Sequence, residues 1–375
     1  MRFLLRSATL GGVIAMLISA STSVFAGGGG ASNAVFVETN GITGNAILAY
    51  DRADDGTLTQ VASYATGGIG GTATGAAVDP LASQGSLAYD SGHGLLLAVN
   101  AGSDSVSVFA ADGDSLQLVQ VVGSGGSFPA SVAVSGDLAY VLNAGGDGGI
   151  NGYRIAGGKL HPIEGSSRAL GLGNANPPFF LASPGQIGFT PDGGKLIVTT
   201  KKTGTIDVFN LSPNGRPSAT PTVAASAGPV PFAFAFDAAG RLVVTEAGTS
   251  SVTSYNINSD GSLTVVDASV GNHQAATCWV TAARGYFFVA NAGSADLSGY
   301  AINSAGALSL INGSQVAAST GGGPIDLAAS SDGRFLYAES GGTGTVDEFR
   351  VNADGTLVAL GVVAAARGLE GIVAI

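Results

Sequence analysis

The sequence predicts an all-β fold: a seven-bladed propeller of four-stranded blades, closed by the C-terminal strand joining the first blade. Three observations predict it. One motif, an apolar run, an Asn/Gly-type turn and a second alternating run, occurs seven times from Val35 onward. A second turn, centred on glycine, recurs inside every copy. The two chain ends are complementary, one lacking the strand that the other has in surplus. Repetition near this period marks a propeller or a solenoid.

The motif is clearest in LLLAVNAGSDSVSVFA, Leu95 to Ala110. It returns as AYVLNAGGDGGINGYRI from Ala139, RLVVTEAGTSSVTSYNI from Arg241 and YFFVANAGSADLSGYAI from Tyr286, with looser copies from Val35, Leu196 and Phe335. Short apolar or alternating runs flanking such a turn read as paired strands. The second turn is Asp55-Gly56-Thr57-Leu58 in the first copy and falls at Gly113, Gly158, Gly215, Gly261, Gly306 and Gly355 afterwards. Those spacings, roughly 45 to 57 residues, suit blades, and Asp-Gly and Asn-Gly supply the positive φ that tight hairpins need. A third turn, as in Pro191-Asp192-Gly193 and Ser331-Asp332-Gly333, precedes the motif.

Three turns per unit give four strands, A innermost to D outermost. In the fifth unit they are predicted at Phe232 to Phe236, Leu242 to Thr245, Ser251 to Asn256 and Leu263 to Asp267. The A and B strands (FAFAF, LLLAV, FFVA) are apolar on both faces. A sheet with one wet face would alternate, so both faces are covered, as when blades stack. The chain starts at Val35 with a B strand and ends at Gly371 to Ile375 with an A strand. Pairing those two closes the ring and leaves no open sheet edge. Residues 34–375 are therefore read as one domain. One stretch interrupts the pattern, Gly165 to Ser183, too long for a simple blade connection and a candidate functional loop.

The first 26 residues read as a leader. Arg2 and Arg6 precede the apolar run LGGVIAMLIS and then Val24-Phe25-Ala26, whose small residues suit signal peptidase. Residues 27–33 follow as a flexible tail, and the mature protein is expected in the periplasm or medium. Without Arg2 and Arg6 the formal charge of −11 becomes −13. Such an acidic surface repels phosphate backbones and anionic lipid, which argues against nucleic acid and membrane partners. Only 11% of residues are charged while 45% are hydrophobic. No other stretch approaches 18 uninterrupted apolar residues, so that apolar content goes into a core and no membrane insertion is expected after cleavage. Cys278 is the single cysteine and lies in AATCWV, apolar on both sides, as a buried inert thiol does. The three histidines are dispersed, and no calcium loop, phosphate loop or G-x-S-x-G elbow occurs. No metal or cofactor is expected.

Along a blade the chain runs down A, up B, down C and up D, so B–C turns and D-to-A crossovers emerge on one face. That face collects Asn40, Asn100, Asn143, Lys201, Lys202, Glu246, Asn291 and Ser340 from turns, and Gln84, Gln186, His273, Gln274 and Glu370 from crossovers. Asn before Gly also serves as a turn residue bonded to its own backbone. Lys201-Lys202 is more informative, because other copies have Ala or Gly there. His93 falls on the opposite face and His161 on an outer strand.

The NAGSDSVSVF type of repeat resembles the YVTN propeller repeat. The D-G-[ST]-L turns and the segments PDGGKLIV and SDGRFLYAE resemble the lactonase family, of the 6-phosphogluconolactonase type with its muconate-cyclase relatives. That resemblance implies a lactone-hydrolysing enzyme whose G-P-R-H segment supplies an Arg for lactone binding and a His for proton transfer. Here the matching segment is Ser183-Pro184-Gly185-Gln186, so Gly185 and Gln186 replace the pair. Two functions therefore stand side by side. The first is a monomeric binding module holding a small molecule or protein at the axial face, through Lys202, Gln186, Asn100, Asn143, Asn291, Glu370, Phe179 and Phe180. The second is a lactone hydrolase with a rebuilt site. In it His273 is the base, Lys201 or Lys202 holds the oxyanion, and Glu246 or Glu370 orients the imidazole.

Export with cleavage after Ala26 is expected to give a mature chain beginning at Gly27. Mass measurement of protein recovered from periplasm or medium checks this, and an intact Met1 in the cytoplasm overturns it.

Overall fold

The computed structural model describes residues 33–375. The leader, residues 1–26, and the tail apart from Asn33 lie outside them. Seven antiparallel sheets follow one another around an axis, five of four strands and two of five. Each sheet is one blade, with consecutive strands ordered from the axis outward. The fifth blade comprises Pro231–Phe236, Leu242–Glu246, Ser251–Ile257 and Leu263–Gly271, so the predicted strands stand within a few residues of their bounds. Helical structure among the described residues is limited to three single turns, Ala101–Ser103, Phe180–Ala182 and Ile311–Gly313.

Burial follows position in the blade. All six residues of the B strands Leu95–Asn100 and Phe335–Ser340 are buried. The outermost strand Leu58–Ala65 is buried at Leu58 and mostly exposed beyond it. The continuous apolarity of the inner strands is thus the signature of a sheet packed on both faces. Tyrosines stitch the blades together, because a buried phenol must place its hydroxyl on an acceptor. Tyr50, Tyr153 and Tyr300 donate to the outer-strand carbonyls of Ala364, Gly123 and Val270 in the preceding blade. Tyr140 and Tyr337 donate forward to Gly215 and Gly56, in the C–D turn of the next blade.

The C-terminal strand Ile372–Ala374 joins the first sheet beside Ala34–Glu38, pairing Val35 with Ala374, Phe36 with Val373 and Val37 with Ile372. Backbone bonds from Glu38 to Gly371 and from Ile375 to Ala34, each 2.9 Å, extend the ladder at both ends. The long stretch Gly165 to Ser183 is only partly a loop. Arg168–Ala169 pairs with Gly149 and Ile150 and extends the outer edge of the third blade. The remainder lies along the 145–148 turn, through bonds such as Leu172 to Asp147 and Gly146 to Ala175.

Deleting Gly371 to Ile375 removes the innermost strand of one blade and bares an apolar edge. Loss of soluble protein is the expected result, read by yield and far-UV circular dichroism. A truncated chain with an unchanged melting temperature would refute the closure.

Candidate functional site

The innermost strands line the axis, and five of the seven carry a one-residue bulge. The register slips between Pro129 and Ser131, Pro184 and Ile187, Pro231 and Phe234, Thr277 and Trp279, and Ile325 and Leu327. A bulge bends the strand and re-aims a side chain. Here the bulged stretches bring Ser131, Gln186, Cys278 and Asp326 to the centre. Asp326 takes a left-handed φ of 43° to do so.

The centre is filled by residues 79–86, the end of the crossover from the first blade to the second. Leu81, Ala82, Ser83 and Gln84 are buried, and almost every blade holds them. The Gln84 side chain donates to the Val280 carbonyl (2.8 Å) and accepts from the Val280 N–H (2.9 Å), as an extra strand residue would. Its backbone N–H donates to Gly185 (3.0 Å), and its carbonyl accepts the Ser131 hydroxyl. The Trp279 indole donates to Ser83 (2.9 Å). From the sequence, Gln84 of this crossover is placed on the axial face without its partners.

Carboxylates complete its anchoring. Leu81 N–H donates to Glu370 (2.7 Å), Ala82 N–H to Asp79 (2.7 Å), and the Ser86 hydroxyl to Glu38 (2.9 Å), with a longer bond of 3.4 Å from Gly85 to Asp326. Burial raises all of these acids, Glu38 to about 8 and Asp326 to about 7. Glu339 and Glu370 are raised well above the ordinary value, each by burial and then by its acidic neighbours. Asp79 Oδ2 is buried without a hydrogen-bond partner, and Asp79 is one of the groups that push Glu370 up. Lys201 is the one cation among them. It is 3% exposed, donates to the Ala82 carbonyl, and lies 4.6 Å from the Phe232 ring centroid and 5.1 Å from that of Phe180. Burial pulls it down to about 8 against the opposing pull of Asp79. Among the described residues no group of three His, Cys, Asp or Glu side chains is placed to hold a metal ion.

The fold thus gathers Lys201, Glu370, Gln186 and Phe180 around the axis. Gln186 accepts the Phe234 N–H of the next blade (2.7 Å). Glu246 stays within its own blade, where its carboxylate accepts from the hydroxyls of Ser226, Ser251, Thr253 and Ser269 and from Gly228 N–H. Asn100 and Asn291 also bond across their own turns, Asn100 to Ser105 and Ser107, Asn291 to Asp296 and Ser298. Asn143 donates to Ser124 and Asn151. His273 stands exposed on its crossover at a φ of 59°, and no hydrogen bond among the described residues links it to Lys201, Glu246 or Glu370. Lys202 is exposed beside Phe179. Gly185 is cramped: a Cβ there would stand 2.0 Å from the Phe232 carbonyl oxygen. An Arg does not fit at that position on this backbone.

Sequence reasoning missed Glu38, Asp79, Asp326 and Glu339. Three of them carry a visible signal, a lone acid inside an apolar strand: AVFVE, PIDLAA and FLYAES.

Residues 198–325 match the family model described as lactonase, 7-bladed beta-propeller. Among solved structures, a candidate 6-phosphogluconolactonase from Bacteroides uniformis is similar at 18% identity and a TM-score of 0.71, over 91% of this chain and 99% of that one. The periplasmic gluconolactonase of Pseudomonas aeruginosa gives 17% and 0.70, over 92% and 99%. A candidate 6-phosphogluconolactonase from Bacteroides fragilis gives 19% and 0.69, over 94% and 99%. No curated protein matches the sequence. At these identities the likeness to solved structures is one of fold: the protein is a lactonase-like seven-bladed propeller.

The buried acids set a pH dependence. Folded, Glu38 and Asp326 keep their protons to about pH 8 and about 7, against ordinary values of 4.5 and 3.8. Between those limits the folded chain binds more protons than the unfolded one, so stability falls as pH rises. Lys201, lowered from 10.5 to about 8, acts oppositely above pH 8. Turn aspartates such as Asp192, held low by the Thr190 hydroxyl, cost stability below their ordinary value of 3.8. The melting temperature is expected to peak at roughly pH 4, where these two ranges meet, and to drop toward pH 8. Glu38→Gln with Asp326→Asn should flatten the drop. A melting temperature that climbs between pH 5 and 8 rejects the account.

Proposed function

We propose that the protein is a binding module, monomeric and exported, that takes its ligand at the axial face on the surface formed by Phe179, Leu181 and Lys202. One observation carries this reading. The axis itself is occupied by residues 81–86, whereas beside it an open cavity of about 390 Å³ is lined by Gly173, Asn174, Ala175, Phe179, Leu181, Ala182 and Lys202. Phe179 is 52% and Leu181 54% exposed. Large apolar side chains side by side in water mark a contact surface, and Lys202 adds a cation for a carbonyl or anionic group of a small molecule or protein. Export is supported by the apolar leader and by a relative whose own description is periplasmic.

Lactone hydrolysis is the second reading, favoured by the family match over residues 198–325 and by the gluconolactonase described from Pseudomonas aeruginosa. Water then has to reach a base outside the filled axis. His273 is exposed on the axial face, and an imidazole is the commonest general base. Lys202, the exposed lysine of the pair, is the free oxyanion partner.

A panel of sugar and aliphatic lactones followed by pH-stat separates the two readings. The binding module predicts no hydrolysis above background, and clear turnover overturns it. If turnover occurs, His273→Ala should lower it about 10²- to 10⁴-fold without moving the melting temperature. His93→Ala and His161→Ala should leave it unchanged. Activity undiminished in His273→Ala rejects that assignment.

A further inference from the structure

A second cavity opens on the opposite face, between the fifth and sixth blades, with a volume of about 550 Å³. Its floor is apolar: Phe287, almost fully buried, Phe236 and Ile302. The Phe236 ring is fixed edge-on against Phe234, 5.8 Å between centroids. Its charged groups are two arginines and one aspartate. Arg241 is locked in place, donating to Asp237 (2.8 Å) and across the blade junction to the Ser304 carbonyl (2.5 Å). Asp237 has no capacity to spare, since its other oxygen accepts the N–H groups of Ala239 and Arg241. Arg284 also lines the cavity, from the tip of its turn at a φ of 51°, and makes no hydrogen bond or ion pair among the described residues.

The site therefore carries a net positive charge over an aromatic floor, in a chain with 26 acidic and 15 basic residues. Two guanidinium groups at one concavity run against that balance. Arginine is also the side chain best matched to planar or tetrahedral oxyanions. A preformed, mostly apolar hollow with a few convergent polar groups is the usual form of a small-molecule site. We propose that this cavity binds a small organic anion, a carboxylate, sulfonate or phosphate ester on a flat apolar body, with the charge on Arg284 and Arg241 and the body on Phe236, Phe287 and Ile302. The site is on the face away from Phe179 and Lys202, so it stands apart from the ligand proposed there.

The test uses 8-anilinonaphthalene-1-sulfonate as the probe, titrated by fluorescence into the folded protein, with uncharged N-phenyl-1-naphthylamine as its control. One saturable site is expected, with the uncharged probe weaker by roughly tenfold or more, the worth of a charge-assisted hydrogen bond. Arg284→Gln should weaken the sulfonate by the same order, and because it removes no internal bond the variant should fold as the parent does. Ala238→Trp, which fills the hollow, should abolish binding, whereas Phe179→Ser should not change it. The proposal is overturned if no saturable binding appears, if both probes bind equally, if Arg284→Gln binds like the parent, or if Phe179→Ser removes the signal. Should Ala238→Trp fail to fold, the uncharged probe and Arg284→Gln still decide.

Discussion

Everything in this fold depends on a sheet that cannot stand alone. The inner strands of every blade are apolar on both faces, so each blade needs a neighbour on either side. Burying one such Val, Leu or Phe side chain is worth about 1.5–3 kcal/mol, and each blade contributes several of them. A row of blades would leave two raw faces; a ring leaves none. The geometry that makes the ring possible is the exchange of one strand, with Ile372–Ala374 supplying the place beside Ala34–Glu38 that the start of the chain leaves open. Repeat arrays are otherwise governed by nearest-neighbour contacts, and closure turns that local arrangement into a single cooperative body.

Closure creates a channel, and the chemistry at the axis follows from how that channel is filled. The filling segment is irregular chain, without a ladder of its own, and its buried N–H groups need acceptors. Side chains that line the channel provide them, Glu370 for Leu81 and Asp326 for Gly85, and the segment's own Gln84 reaches out to the backbone of Val280. Carboxylates buried this way are costly if ionised and unpaired, which is why they hold their protons and why a single lysine stands among them. An acid-rich axis is therefore compatible with a structural role. The open, chemically accessible surfaces lie elsewhere, beside Phe179 and between the fifth and sixth blades.

The frame was legible in the sequence because it is repeated. Apolar runs such as LLLAV, glycine turns such as Asp55-Gly56 and the odd strand at each end are local signals that seven copies reinforce, and the fifth-blade strands lay almost where the pattern put them. The site was less legible for two physical reasons. A bulge shifts side chains from one face of a strand to the other, so a residue such as Asp326 cannot be assigned to the axis by counting alternation. The 66–86 segment occurs once, is rich in glycine and alanine, and bonds to residues as distant in the sequence as Val280 and Glu370. Lys201 shows both sides of this. Its oddness among the turn residues was visible, but its burial against Ala82, Phe180 and Phe232 was not. Gln186 and Glu370 were likewise placed on the correct face, without their partners.

The strand exchange also has a consequence in time. A ribosome releases this chain from its N-terminal end, so Ala34–Glu38 is made well before its partner Ile372–Ala374. The earliest sheet waits for a strand that follows it by more than 300 residues, since Val37 pairs with Ile372, and the segment that fills the axis waits with it, because Trp279, Asp326 and Glu370 are made later than it is. Throughout synthesis the oldest part of the protein is its least finished part. Chaperones or proteases that meet the chain before that strand is made meet an open arc of blades.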